Sequence, residues 1–124
     1  MKRYILFTGL MIASAGFKSF AQTAIETKEA AKHLKEKVTV TDKVHGGKFF
    51  SNSGMTLLDL GGAHPNELLT VLIKGDDRKK FKDAPEETFK GKIIIVTGEV
   101  IDYKGKPEIV VTEPAQIKIR EEKK

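Results

Sequence analysis

Ile93 to Tyr103 alternates without a break. Ile94, Val96, Gly98 and Val100 fall on one face of such a run, and Ile93, Ile95, Thr97, Glu99, Ile101 and Tyr103 fall on the other. Period two marks a pleated strand, and this is the longest in the chain. Gly98 sits mid-strand on the aliphatic face. A glycine there relieves crowding where a sheet bends sharply, so the run belongs to a strongly curved small β structure.

The remaining segments are read around that strand. Val38, Val40 and Val44 alternate with Lys37, Thr39, Thr41 and Lys43, which predicts a half-buried first strand over residues 37–45. His45-Gly46-Gly47-Lys48 and Ser51-Asn52-Ser53-Gly54 carry turn residues, with Phe49 and Phe50 between them. Met55–Leu60 predicts a second strand ended by Gly61-Gly62. Leu68–Lys74 predicts a third, apolar enough to be buried on both faces or covered by a helix. Gly75–Lys92 lacks strand character. A short helix capped by Asp76 or Asp77 is expected there, with Phe81 and Phe89 as core anchors. Ile93–Tyr103 is the fourth strand. Lys104-Gly105 makes a tight turn, and Glu108–Thr112 is the fifth, with Pro107 at its start. Gln116–Arg120 can add a short tail strand. Before the strands, Thr23–Glu36 has an apolar stripe of Ala24, Ile25, Ala30, Ala31 and Leu34. It predicts a short helix with Thr27 as N-cap, or Thr23 and Glu26 as a capping box one turn earlier.

Composition supports a packed core, with 40% hydrophobic and 31% charged residues in 124. The first residues stand apart. Lys2 and Arg3 precede a mostly apolar stretch from Ile5 to Phe17, and Ser19-Phe20-Ala21 places small residues where a signal peptidase reads them. A secretory leader over residues 1–21, cleaved after Ala21, is therefore expected, and with it a periplasmic or secreted protein without a membrane span. The apolar stretch is short for a transmembrane helix, which needs about 20 residues, and an uncleaved membrane anchor is the alternative reading. The leader carries three basic residues and no acid. Without it, 19 basic residues face 17 acidic ones, a net charge of +2. Such a balance neither demands nor forbids a polyanionic partner.

A helix, three strands, a helical connection and two strands form the order of an OB-fold. The expectation for residues 22–124 is one mainly β domain: a five-stranded OB-fold Greek-key barrel with a short N-terminal helix and a helical segment between the third and fourth strands. The run Val96-Thr97-Gly98-Glu99-Val100 followed by Tyr103-Lys104-Gly105-Lys106-Pro107-Glu108-Ile109 resembles a family of small bacterial exported OB-fold domains grouped with nucleic-acid-binding OB-folds. The loop Gly61-Gly62 with Pro65-Asn66 adds to the likeness, which covers about residues 27–119. It rests mainly on glycines, a proline and core aliphatics. The resemblance implies the fold, and nucleic-acid binding only by membership.

OB-folds bind single strands on the face of the second and third strands and on two loops, between the first and second and the fourth and fifth strands. The first of these loops is expected to carry Lys43, Lys48, Phe49 and Phe50, with His45. The second carries Tyr103, Lys104 and Lys106. Ammonium groups can track phosphates, and an exposed ring can stack on a base. The plainer reading turns one of Phe49 and Phe50 into the core and leaves Lys104-Gly105-Lys106 as a polar hairpin. Glu99, Asp102 and Glu108 lie near the second loop and oppose a polyanion. A denser basic cluster, Lys74, Arg78, Lys79, Lys80 and Lys82, is interleaved with Asp76, Asp77 and Asp83 and reads as a solvated face.

Other chemistry has little to stand on. Without cysteine there is no disulfide, thiolate nucleophile or cysteine-bound zinc. His33, His45 and His64 have no metal-site spacing, although His64 and Asp59 lie close in sequence. No serine-nucleophile or phosphate-cradle motif occurs. The expectation is a monomeric, non-enzymatic binding protein with no catalytic residues, metal or cofactor. Its partner is single-stranded nucleic acid or another polyanion. The alternative is a cell-envelope module that binds a protein or an oligosaccharide.

Overall fold

The structure, a computed structural model, describes residues 23–120. The expected leader, residues 1–21, lies outside the described residues, as do the last four. In chain order the elements are β1 (Thr23–Ile25), a 3-10 helix (Thr27–His33), β2 (Lys37–Phe50), β3 (Met55–Leu60), β4 (Leu69–Ile73), α1 (Gly75–Arg78), α2 (Pro85–Thr88), β5 (Ile93–Tyr103), β6 (Lys106–Val110), a 3-10 turn (Pro114–Gln116) and β7 (Ile117–Ile119).

Five strands form a ring. β2 pairs antiparallel with β3, β3 antiparallel with β4, and β4 parallel with β6. β6 then pairs antiparallel with β5, which returns antiparallel to β2. Two short strands extend this mixed seven-stranded sheet: β1 lies parallel to β2, and β7 antiparallel to β5. The expected first to fifth strands are β2, β3, β4, β5 and β6.

Period two places the core inside the ring. Val38, Val40 and Val44 of β2 meet Leu58 and Leu60 of β3, Leu69, Val71 and Ile73 of β4, Ile94, Val96 and Val100 of β5, and Ile109 of β6. Burying one such side chain contributes about 1.5–3 kcal/mol, so a one-residue slip that turned the whole set outward would be strongly disfavoured. Phe89 is buried with this cluster and Phe81 packs against it, their rings edge to face at 6.4 Å. The connection between β4 and β5 is thus anchored by the two rings that the sequence singles out.

Gly98 lies on the inner face beside Val96 and Val100. An added Cβ would sit 2.3 Å from the Val110 carbonyl oxygen and 3.3 Å from Gln116 Nε2. The space that glycine leaves is used. Gln116 Nε2 donates to the carbonyls of Thr97 and Val110 at 2.8 and 3.2 Å, joining β5 and β6.

Several expectations need correction. The short helix after β4 has Lys74 as its N-cap, and neither Asp76 nor Asp77 caps it. The helix over Thr23–Glu36 is instead β1 followed by a tighter 3-10 helix, because Thr23, Ala24 and Ile25 pair with Val38, Thr39 and Val40 of β2. Sheet pairing overrides a modest helical preference. Thr27 is not an N-cap; its hydroxyl is turned inward and donates to Asp42 Oδ2 of β2. The expected turn at His45–Lys48 is continuous strand. The fifth strand begins at Lys106, not Glu108. Pro107 is accommodated because it pairs with Asp102 of β5 only; pairing with β4 starts at Glu108.

Candidate nucleic-acid interface

β2 continues through His45-Gly46-Gly47 by means of a bulge. Val44 pairs with Leu60 and Gly46 with Asp59, so β2 carries one extra residue at this point. An extra residue exchanges the two faces of everything beyond it. Without the bulge, Lys48 and Phe50 would follow Val38, Val40 and Val44 into the ring. With it they point outward, opposite Leu57 and Met55, while Phe49 takes the inward side opposite Thr56. Gly47 supplies the room this irregularity needs, since a Cβ there would sit 2.8 Å from the Leu57 carbonyl oxygen.

The outward face continues across the ring. Asp59 of β3 is registered with Thr70 of β4, Thr70 with Glu108 of β6, and Lys106 with Tyr103 of β5. Lys104 and Gly105, both at positive φ, close the β5–β6 hairpin in two residues, as the sequence predicts. The loop between β3 and β4 brings His64 and Glu67 to the same face. Asp59, His64, Glu67, Thr70, Tyr103, Lys106 and Glu108 line a cleft of about 420 Å³, and Lys104 and Gly105 of the turn do not.

The structure therefore divides the expected site. Lys48, Phe50, Tyr103 and Lys106 line the cleft. Lys43, Lys48, Phe49 and Phe50 are strand residues, not loop residues; the β2–β3 connection is Ser51–Gly54. Lys43 is exposed, pairs with Ile93 of β5 and does not line the cleft. Phe49 is turned aside, with the Arg78 guanidinium 4.0 Å from its ring centroid. Lys104 lies in the hairpin turn, its Nζ 5.2 Å from the Tyr103 centroid, and Lys48 Nζ is 5.1 Å from the Phe50 centroid. Each of the two cleft rings thus carries an ammonium beside it.

Asp59, Glu67, Thr70 and His64 were not among the expected site residues. Asp59 was discernible only as a neighbour of His64, since its outward direction depends on the register of β3. Glu67 enters by loop geometry. Glu108 was expected nearby as an opposing charge, and it does line the cleft.

These acids have distinct environments. Burial raises the Asp59 pKa, and the Glu67 charge adds to the rise against the opposing influence of His64. Burial alone raises the Glu108 pKa; the residue is 7% exposed. Burial also works against ionised Glu67, but its own backbone amide, the His64 ring and Lys106 together hold its pKa below the usual value. His64 Nδ1 lies 3.2 Å from Glu67 Oε2, whereas Glu67 Oε1 is buried without a hydrogen-bond partner. The cleft offers cations at its rim, two flat apolar rings and a set of acceptor oxygens. Among the described residues, no three His, Asp or Glu side chains converge as a metal site.

The dense basic cluster after β4 is largely tied up. Arg78 pairs with Glu86 at 2.8 Å, and Lys80 with Glu113 and Asp77 at 2.9 and 3.4 Å. Lys79 lies 3.9 Å from Asp76. A second depression, of about 390 Å³ between β1 and the β3–β4 loop, is lined by no aromatic side chain, and Lys28 is its single cation.

Among the solved structures that resemble this chain are two synthetases. One is described as an aspartyl-tRNA synthetase from Leishmania major Friedlin, with a TM-score of 0.52 and 14% identity, covering 81% of this chain and 21% of that one. The other is the aspartyl tRNA synthetase from Entamoeba histolytica, with a TM-score of 0.51 and 16% identity, covering 90% of this chain and 24% of that one. The chain spans under a quarter of either synthetase. At such identity the likeness concerns the fold, which is OB-like. No family model and no curated protein matches the sequence.

Proposed function

We propose that this is an exported, non-enzymatic protein that binds single-stranded nucleic acid, tolerant of sequence, from the outward cleft of an OB-type barrel. One observation carries the reading: Lys48 and Phe50 of β2 meet Tyr103 and Lys106 of the β5–β6 hairpin in a single cleft. Ammonium groups beside stackable rings are what a sequence-tolerant single-strand groove needs. The likeness to two tRNA synthetase chains agrees at a coarse level. Export rests on the leader pattern, and the kinship with small bacterial exported domains rests on the Val96–Val100 and Tyr103–Ile109 segments. The absence of serine-nucleophile and phosphate-cradle motifs supports a binding role over a catalytic one.

The test is a salt titration of the purified protein against a labelled single-stranded oligonucleotide. Binding at low salt should weaken as salt rises, with a log–log slope near −0.7 per phosphate contacted. Lys48→Glu with Lys106→Glu should abolish it. Absence of binding at low salt, or binding untouched by the double variant, rejects the reading. Export is tested separately: the amino terminus of the protein recovered outside the cytoplasm should be Gln22. A single envelope protein captured with equal strength after nuclease treatment would support the alternative interaction module instead.

A further inference from the structure

We propose that the cleft reads one base of the bound strand through its N–H edge, with guanine preferred. The inference rests on the reading above and narrows it. Phosphates require cations, which Lys48 and Lys106 supply. The same cleft is also lined by three carboxylates, Asp59, Glu67 and Glu108. Carboxylates repel a phosphate, so they are misplaced for a groove that only tracks a backbone. They are well placed to accept hydrogen bonds from a base.

Glu67 sharpens the point. Its side chain is 8% exposed, Oε2 is held by His64, and Oε1 has no partner. A buried acceptor left unsatisfied is costly and calls for an explanation, and a ligand donor is one. Guanine presents N1–H and the 2-amino group side by side, a pair that a single carboxylate can accept. Adenine and cytosine present one amino group each. Thymine presents one N–H between two carbonyl oxygens, which meet a carboxylate unfavourably. Phe50 and Tyr103 supply the flat surfaces on which the base would rest, and a cleft of about 420 Å³ lies within the usual range for small-ligand sites. A basic peptide could satisfy the same oxygens, but it would meet Lys48 and Lys106 as like charges; a nucleotide has a phosphate for them.

The test uses the purified protein and three labelled thymine oligonucleotides about ten nucleotides long. One is all thymine, one has a single central guanine, and one has inosine there, which lacks the 2-amino group. The guanine oligonucleotide should bind at least about fivefold more tightly than all-thymine, and inosine should lose most of that gain. In Glu67→Gln the guanine-to-thymine ratio should fall to about one. Equal, salt-sensitive affinity for all three oligonucleotides overturns the base readout and leaves the binder standing. A guanine preference unchanged in Glu67→Gln, with folding verified by circular dichroism, also overturns it. If Glu67→Gln does not fold, the inosine comparison on the unmodified protein decides. No binding to any of the three removes the binder and this inference together. An arginine-rich peptide that binds more tightly than the guanine oligonucleotide overturns it as well.

Discussion

The guanidinium of Arg78 lies 4.0 Å from the ring centroid of Phe49, on the side of β2 opposite the cleft. This contact separates two adjacent phenylalanines that sequence alone cannot rank. Phe49 lies against Arg78 of the connection between β4 and β5, and Phe50 lines the cleft.

Phe50→Ala should therefore weaken oligonucleotide binding by about 1–3 kcal/mol, the range for losing one base–aromatic stack. Phe49→Ala should leave binding close to wild type and lower stability by about 1 kcal/mol, because an exposed cation–π contact contributes about 0.5–1 kcal/mol and the ring is 40% exposed. Anisotropy titration and urea unfolding of both variants check the assignment. Equal binding losses would put both rings at the site.

Arg78 also donates from its Nε to Thr56 Oγ1 and from its Nη2 to Glu86 Oε2, each at 2.8 Å. Arg78→Met leaves a mostly buried carboxylate without its cation. Removing one partner of a fully buried pair costs about 3–5 kcal/mol, and partial exposure here lowers the expected loss to about 1–3 kcal/mol. The pH dependence has a definite sign. Burial opposes ionised Glu86, but its own amide and Arg78 outweigh that and hold its pKa below the ordinary 4.5. The pairing thus stabilises above about pH 4.5 and is lost as pH falls through the lower folded value. The stability gap between wild type and Arg78→Met should narrow on acidification below that point, as followed by unfolding at a series of pH values.

Glu108 behaves in the opposite sense. Burial raises its pKa above the ordinary 4.5, so its contribution is most favourable below that pH and is lost as pH rises through the folded value. Glu108→Gln removes the charge. The variant should be more stable than wild type at pH 7, with the advantage vanishing under acid conditions. A wild type more stable at pH 7 would mean that the charge has a partner in solution.

Gly98→Ala and Gly98→Val should both destabilise. A Cβ at this position falls 2.3 Å from a backbone oxygen, Val110 O, which cannot rotate away as a side chain could. The strands must shift, at a cost of about 1–3 kcal/mol or more, with valine worse than alanine. The link through Gln116 Nε2 should loosen too, visible as faster amide exchange in β7. An alanine variant as stable as wild type would remove the crowded bend.

Alternation determined most of the fold from sequence alone. Met55–Leu60 and Ile93–Tyr103 coincide with β3 and β5, and Phe81 and Phe89 were legible as anchors because large apolar side chains in a polar connection have few other uses. Local pattern reported which residues want burial. It could not report which way a strand turns after an irregularity. The bulge between Val44 and Gly46 exchanges inside for outside, and only the pairing of β2 with β3 reveals it. Tertiary structure alone therefore sent Lys48 and Phe50 to the cleft and Phe49 away from it. It also turned the start of the expected helix into β1, and brought Asp59, Glu67 and Glu108 together from three separate segments. Side-chain direction in a strand is fixed by register, and register is a relation between distant residues that no single stretch of sequence contains.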